Sequence, residues 1–179
     1  MKKILLVVVF LLVAILGFLS YEGIWATANI EKGTEGGYVM MGIEHRGAYY
    51  KIGDALKKLQ DEVKAAGIEN PKFAGIYYDN PDEVAEDSLR SFAAVIISNT
   101  ADSAKLMAMK NYKVVEVEKG NALICDMRTP DMISTIIAVY KAYPAFSEYF
   151  KSHPEEAKTI KYTYELYKEG STRFVFQYQ

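Results

Sequence analysis

The sequence predicts a single α+β domain behind one amino-terminal transmembrane helix. Three observations carry this prediction. The run Ile4 to Leu19 contains no charged or polar residue. The rest of the chain alternates strand-like with helix-like segments, and these follow the order strand, helix, strand, strand twice. With 179 residues, half of them apolar, the chain is long enough for one domain with its own core.

The hydrophobic run predicts a membrane anchor over residues 1–25. Its 16 residues would rise about 24 Å as a helix, short of the ~30 Å hydrocarbon core, and continuation to Trp25 supplies the rest. Because Lys2 and Lys3 precede the run, we expect the amino terminus in the cytoplasm and the domain outside it, periplasmic or extracellular in a bacterium. The alternative is a cleaved secretory signal, since Ala26-Thr27-Ala28 is a small-x-small sequence. The length of the run and the bulky Trp25 favour a retained anchor.

The first strand-helix-strand-strand unit follows a polar segment. Residues 26–37 carry three glycines and predict a linker, so the domain is expected over residues 38–179. Apolar residues at helical spacing predict a helix that ends at Gly67. The predicted elements of this unit are a strand at Tyr38–Arg46, a helix at Ile52–Ala66, and strands at Phe73–Tyr78 and Phe92–Ser98.

The second unit repeats this order after a short helix near Asp102 to Met109. A longer helix is expected to open near Pro130 and to be kinked or broken at Pro144. The predicted strands are Tyr112–Glu118 and Asn121–Met127, paired as a hairpin at Lys119-Gly120, and Thr159–Tyr167 and Arg173–Tyr178, paired as a second hairpin. Two such units in tandem predict a pseudo-twofold antiparallel sheet with helices on one face and a concave face left for a ligand.

Composition and motifs exclude several classes of function. A single cysteine, Cys125, forms no intrachain disulfide, and His45 and His153 do not join it in any zinc-ligand spacing, so neither a metal nor a cofactor is expected. Without Lys2 and Lys3 the chain has 19 basic residues against 23 acidic ones, and nucleic acid is not an expected partner. The absence of a phosphate loop, a dinucleotide fingerprint and a nucleophile elbow lowers the expectation of an enzyme.

Three motifs resemble, in order, those of the GyrI-like domain family. His45-Arg46-Gly47-Ala48-Tyr49 and the helix that follows are similar to the family's His-x-Gly-Pro-Tyr and amphipathic helix, with Ala48 in place of proline. Gly75 to Pro81 resembles the family's strand and Asp-Pro loop. Tyr164-Glu165-Leu166-Tyr167 resembles its Glu-x-Tyr strand. The resemblance covers Tyr38 to Gln179 and implies a sheet-lined pocket for a small organic ligand.

The hydrophobic span and two further segments resemble one branch of this family. The segments are Tyr77-Tyr78-Asp79-Asn80-Pro81 and residues 135–140, and the branch is membrane-anchored and includes an animal reticulophagy receptor. That receptor has a long disordered tail with an autophagy-binding motif, whereas this sequence ends at Gln179. A role in autophagy is therefore not expected.

Glu165 is the site residue that the resemblance singles out, because family members place an acid in the pocket at this position. Strand alternation gives Glu165 and Tyr167 a common face, and Tyr49 and Tyr77 complete the predicted ligand-binding set. A carboxylate among aromatic rings suits an apolar or cationic molecule. The alternative is an ordinary solvated carboxylate paired with Lys161 or Lys168.

Three functions are open from the sequence. The expected one is a membrane-anchored module that binds a small organic ligand, cationic or lipophilic. The second is a hydrolase of strained electrophilic small molecules, in which Glu165 is the candidate catalytic base and Tyr49 or Tyr77 orients the substrate. The third is a protein-interaction module whose cleft is closed by its own side chains.

Overall fold

The computed structural model describes residues 2–97, 102–109 and 111–179. Both strand-helix-strand-strand units are present, and the predicted strand end at Ser98 lies outside the described residues. The elements are α1 (Lys2–Tyr21), β1 (Glu31–Glu35), β2 (Tyr38–Arg46), α2 (Ile52–Ala65), β3 (Phe73–Tyr77), β4 (Arg90–Ile96), α3 (Ser103–Ala108), β5 (Lys113–Val117), β6 (Gly120–Arg128), α4 (Met132–Ser152), α5 (Pro154–Ala157), β7 (Ile160–Lys168) and β8 (Ser171–Tyr178).

The eight strands form one antiparallel sheet with internal symmetry. Their order is β1-β6-β8-β7-β3-β4-β2-β5. Counted outward from the central β7–β3 pair, each half contains the third, fourth and second strand of one unit (β1–β4 or β5–β8) and then the first strand of the other. The two units are therefore related by a pseudo-twofold axis between β3 and β7. The predicted fold class is confirmed, and so is the β7–β8 hairpin.

The predicted hairpin of β5 with β6 is wrong, and the predicted linker contains a strand. β5 pairs with β2, whereas β6 pairs with β1 and β8. Strand β1, Glu31–Glu35, lies inside the segment 26–37 and aligns Glu31 with Ile124. The first strand of each unit, β1 or β5, therefore pairs with a strand of the other unit. This exchange occurs because the β1–β2 and β5–β6 connections cross. At the crossing, Gly37 N donates to Val117 O at 2.8 Å.

The core lies on both faces of the curled sheet. On the helix-bearing face, α2 packs on β2 and β4, and α4 packs on β6 and β8, where Cys125 is a buried apolar residue. The opposite, concave face is filled by a cluster that includes Phe92 and Tyr164 and reaches Val117 and Ala122 near the two edges. The concave face is thus part of the core. Among the described residues it is filled by buried side chains and is not the open ligand face that was expected.

Helix α1 has the length and composition of a membrane span. The helix has 20 residues, its most apolar 18-residue window has a mean hydropathy of 3.0, and none of that window is buried in the domain. A signal sequence shares these properties. The helix ends in a Schellman motif, in which Gly23 N donates to Ser20 O and Ile24 N donates to Leu19 O. Because Gly23 has a φ of +90°, the chain turns there and does not continue as a helix to Trp25 as predicted.

Helix α4 runs through Pro144 without a break. It begins after Asp131, whose carboxylate accepts from Ser134 N while the Ser134 side chain caps the Asp131 N–H. Of the kink or break predicted at Pro144, a break is absent, because buried Ala142 and Phe146 pack on the sheet on either side of the proline. This packing holds the helix together where one backbone hydrogen bond is missing.

Candidate functional site

The candidate site is centred on Glu165, at the middle of β7 and close to the pseudo-twofold axis. Strand alternation sends Tyr164 and Leu166 into the concave-face cluster and Glu165 to the helix-bearing face, beside α4. The side chain is enclosed, with 4% of the residue exposed. Its position on the central strand pair places the carboxylate between the regions that α2 and α4 cover.

Three tyrosine hydroxyls satisfy the Glu165 carboxylate. Tyr143 on α4 donates to Oε1 at 2.7 Å. Tyr167 on β7 donates to Oε2 at 2.9 Å, and Tyr77 on β3 donates to the same oxygen at 3.1 Å. The hydroxyl oxygens of Tyr77 and Tyr167 are 3.2 Å apart. Three elements thus converge on one acid.

The structure does not place Glu165 in the alternative role of a solvated, lysine-paired carboxylate. Lys161 forms its ion pair with Glu118 at 2.5 Å. Within the described ranges, Glu165 has an ion pair with neither Lys161 nor Lys168. The acid is therefore buried with neutral donors around it.

Burial governs the electrostatics of this group. Desolvation raises the pKa of Glu165 above its ordinary 4.5, although the three tyrosine hydrogen bonds act to lower it. Burial, and then the Glu165 charge, hold the pKa values of Tyr77, Tyr143 and Tyr167 well above the usual 10. The tyrosines consequently remain protonated donors to the Glu165 carboxylate.

Tyr49 contributes a ring to the site. Its ring meets that of Tyr77 edge to face, with centroids 4.9 Å apart. Its hydroxyl donates to Asp79 O at 2.8 Å and accepts from Asp79 N at 2.9 Å, so it is occupied by the loop after β3. Asp79 in turn forms an ion pair with Arg90 at 2.7 Å, which fixes this loop.

Gly75 makes room for the tyrosine hydroxyls. It lies directly opposite Glu165 in the β3–β7 pairing. A Cβ at this position would lie 2.9 Å from the hydroxyl of Tyr167 and 3.1 Å from that of Tyr77. The glycine of the Gly75-Ile76-Tyr77 motif is therefore required by the close approach of these two side chains.

Tyr143 is the member of the cluster that the sequence analysis missed. The predicted residues Tyr77, Glu165 and Tyr167 are in direct contact, and Tyr49 joins them through its ring. Tyr143 lies on the face of α4 that packs on the sheet, where its ring contacts Phe174 at 5.8 Å between centroids. The available signal was its hydroxyl, because a tyrosine on a buried helix face requires a hydrogen-bond partner.

The arrangement suits recognition of an organic group. In the described ranges, no three His, Cys, Asp or Glu side chains come close enough together to hold a metal ion. His45 lies with Nε2 3.3 Å from Ala48 O and so stabilises the turn after β2. What remains is one buried acid surrounded by half-buried aromatic rings.

Comparison with known proteins identifies relatives by family model and by fold. The model of the GyrI-like small molecule binding domain matches residues 30–174. No curated protein matches the chain. The structure is similar to that of SAV2435 bound to tetraphenylphosphonium, with a TM-score of 0.58, 13% identity, and coverage of 84% of this chain and 94% of that chain.

Two further structures share the fold. One is an integron cassette protein from the mobile metagenome of Vibrio cholerae, with a TM-score of 0.52, 13% identity, and coverage of 86% of this chain and 98% of that chain. The other is EcmrR in a DNA complex, with a TM-score of 0.56, 12% identity, and coverage of 98% of this chain and 67% of that chain. At these identities the likeness establishes the fold alone.

Proposed function

The chain belongs to the GyrI-like small-molecule binding domain family, and on that premise we propose that it is a membrane-anchored module that binds an apolar or cationic organic molecule at Glu165. The observation that carries the proposal is the buried Glu165 carboxylate, enclosed by three tyrosine hydroxyls. In a site of low dielectric, such a charge attracts a cation far more strongly than it would in water. A lipophilic cation therefore suits the site better than a hydrophilic one.

The tyrosine rings provide the route to the acid. Tyr77, Tyr143 and Tyr167 are half-buried, whereas Glu165 is enclosed. A ligand would approach across these rings, gain about 0.5–2 kcal/mol from each cation–π contact, and meet the carboxylate beneath them. Tyr49 extends the aromatic surface at the β3 side. Affinity would then come from the rings and selectivity for positive charge from Glu165.

Membrane anchoring by α1 is the second part of the proposal. The length and hydropathy of α1, together with the resemblance to the anchored branch of the family, support it. Lys2 and Lys3 would lie on the cytoplasmic side and the domain on the opposite side. Retention of the full chain in the membrane fraction after alkaline extraction, with the domain accessible to protease only outside the cytoplasm, is the expected result.

Binding can be tested with a pair of ions of the same shape and opposite charge. The full chain in detergent is titrated with tetraphenylphosphonium, the cation bound to SAV2435, and with tetraphenylborate. We expect the phosphonium to bind and E165Q to weaken it by roughly 1–3 kcal/mol through loss of a charge-assisted contact. E116Q, which removes an exposed strand acid, is the matched control and should bind as the wild type does. Equal affinity of wild type and E165Q would exclude Glu165 from the site.

Hydrolysis of a strained electrophile is a second candidate function. It is favoured by the burial-raised pKa of Glu165, since a general base works best when its pKa approaches the working pH. Incubation of the full chain with strained electrophiles, followed by mass spectrometry, distinguishes the two functions. A product heavier by one water that depends on Glu165 would indicate a hydrolase, whereas stable binding of an unchanged ligand would indicate a binding module. If neither a product nor binding is observed, the protein-interaction module is favoured.

A further inference from the structure

A cavity lies at the junction of α1 with the domain, on the β6 side of α4 and away from Glu165. Its volume is about 310 Å³, at the lower end of the range for small-molecule sites. Its lining includes Tyr21, Glu22, Gly23, Met127, Arg128 and Ser134. The cavity thus joins the end of the hydrophobic helix to the first turn of α4.

The turn at the end of α1 buries an acid in this cavity. The positive φ of Gly23 turns the chain back toward the domain directly after Glu22. Only 3% of Glu22 is exposed, and its Oε2 atom has no hydrogen-bond partner within the described chain. Buried carboxylate oxygens are almost always paired, so this oxygen is a free acceptor for a cationic donor.

A guanidinium lies at the same cavity without pairing with this acid. Arg128 Nη1 donates to Tyr21 O at 3.0 Å, and the guanidinium lies 4.7 Å from the centroid of the Tyr21 ring. Among residues 2–97, 102–109 and 111–179, Arg128 and Glu22 form no ion pair within 4.0 Å. The nearby acid Asp131 caps α4 through Ser134 and also shares a side-chain hydrogen bond with Glu22. The cavity therefore presents a pair of acids and a guanidinium that do not form an ion pair with each other.

We propose that this cavity binds the zwitterionic head group of a phospholipid, with the ammonium at Glu22 and the phosphate at Arg128. The proposal rests on the membrane anchoring proposed above. A helix of 20 residues spans about 30 Å, so its end at Tyr21 lies at the level of the head groups. The exposed ring of Trp25, at 72%, is typical of the same interface. The acid and the guanidinium are opposite in charge to the ammonium and the phosphate of the head group.

Native mass spectrometry of the full chain with defined lipids tests the proposal. The lipids are phosphatidylethanolamine and phosphatidylglycerol, which share the phosphate and differ in the ammonium. We expect the wild type to retain one phosphatidylethanolamine in preference to phosphatidylglycerol. E22Q should lose about tenfold of this preference, and R128Q should weaken the retention of both lipids. E31Q and R46Q, which alter exposed residues of the same charge, are the matched controls.

The outcomes separate this proposal from the one on which it rests. Alkaline extraction of the chain from membranes would overturn both the anchoring and the head-group site. An anchored chain whose lipid preference is the same in wild type and E22Q would overturn the head-group site alone, with circular dichroism melting used to verify that E22Q is folded. Competition by millimolar phosphoethanolamine would support recognition of the head group. Equal affinity for that free compound and for the lipid would overturn the bilayer as the source of the ligand.

Discussion

At Glu165, burial and hydrogen bonding act on the carboxylate in opposite directions, and burial prevails. The pKa of Glu165 is ordinary, near 4.5, in the unfolded chain and raised in the fold. The folded state therefore holds this proton more tightly than the unfolded state does. Its contribution to stability is fully present below about pH 4.5 and is lost as the pH rises through the folded pKa.

This linkage predicts a pH-dependent difference between wild type and E165Q. The free energy of unfolding of the wild type, relative to that of E165Q, should fall as the pH rises above 4.5 and level off above the folded pKa of Glu165. Urea denaturation of the full chain at a series of pH values measures it. E116Q serves as the control for removal of one negative charge. Parallel curves for wild type and E165Q would contradict the prediction.

Tyr143 and Tyr140 form a natural pair for testing the hydrogen bond to Oε1. Y143F removes the hydroxyl that donates to Oε1 of Glu165 and should cost about 1–3 kcal/mol, because a buried carboxylate oxygen loses its donor. Y140F alters a tyrosine of the same helix that is 77% exposed and should cost less than ~0.5 kcal/mol. Denaturation midpoints measure both. Similar losses in the two variants would show that the Tyr143 hydroxyl contributes nothing specific.

Part of the site could be predicted at this scale, and part could not. Glu165 and Tyr167 are two residues apart on one strand, so alternation places them together. Tyr77 was expected at the site because of the resemblance, and the pairing of β3 with β7 is what brings it to Glu165. Tyr143 depends on which face of α4 turns toward β7, and that is decided by packing of the whole helix on β6 and β8. Whether these residues bind a ligand stays a prediction.

Among the elements, α4 shows how tertiary packing overrides a local signal. Pro144 has no N–H to donate to Tyr140 O, and isolated helices break at such residues. Ala142 and Phe146 are both buried in the α4 cluster, so the helix continues to Ser152. The proline can be seen in the sequence, whereas the strength of this packing cannot.

P144A should therefore stabilise the protein. Restoring the N–H at position 144 allows a bond to Tyr140 O, and removing the ring relieves its contact with the preceding turn, for an expected gain of about 1–3 kcal/mol. S147A on the exposed face of α4 is the control and should gain only ~0.5 kcal/mol from helix propensity. Thermal unfolding of both variants compares these gains. If P144A is no more stable than S147A, the missing hydrogen bond and the ring of Pro144 do not destabilise α4.

Strand β1 shows the opposite failure, an element that local pattern does not predict. Its sequence, Glu31 to Glu35, has no apolar alternation and contains a glycine. It forms because its backbone pairs with β6 and because buried Glu35 accepts from Arg173 Nη1 at 2.6 Å. Arg173 also pairs with Asp126 at 2.7 Å. These partners are distant in sequence, so a short polar segment is easily assigned to a linker.

At the scale of the whole molecule, the two units exchange their first strands, β1 and β5, and this exchange links the two edges of the curled sheet. The β1–β2 connection at Gly36-Gly37 crosses the β5–β6 connection at Glu118-Lys119. The Lys119-Gly120 signal predicted a local hairpin, yet β5 and β6 separate there to opposite edges. A local turn signal does not distinguish a hairpin from a crossing, since both reverse the chain. All strands but β1 could therefore be predicted from local pattern, whereas the pairing of β5 with β2 could not.

This crossing leads to a prediction about two glycines with similar backbone geometry. Gly36 has a φ of +102° and Gly170 a φ of +67°, so alanine at either position is strained by ~1 kcal/mol. A Cβ at Gly36 would also overlap the carbonyl oxygen of Glu118, whereas a Cβ at Gly170 has open space around it. G36A should consequently cost more than ~3 kcal/mol and G170A only the common backbone strain. Denaturation of the two variants measures the difference. Equal losses of stability in G36A and G170A would mean that the β1–β2 and β5–β6 connections can move apart at Gly36 without further cost. The two edges of the sheet would then not be held together at this crossing.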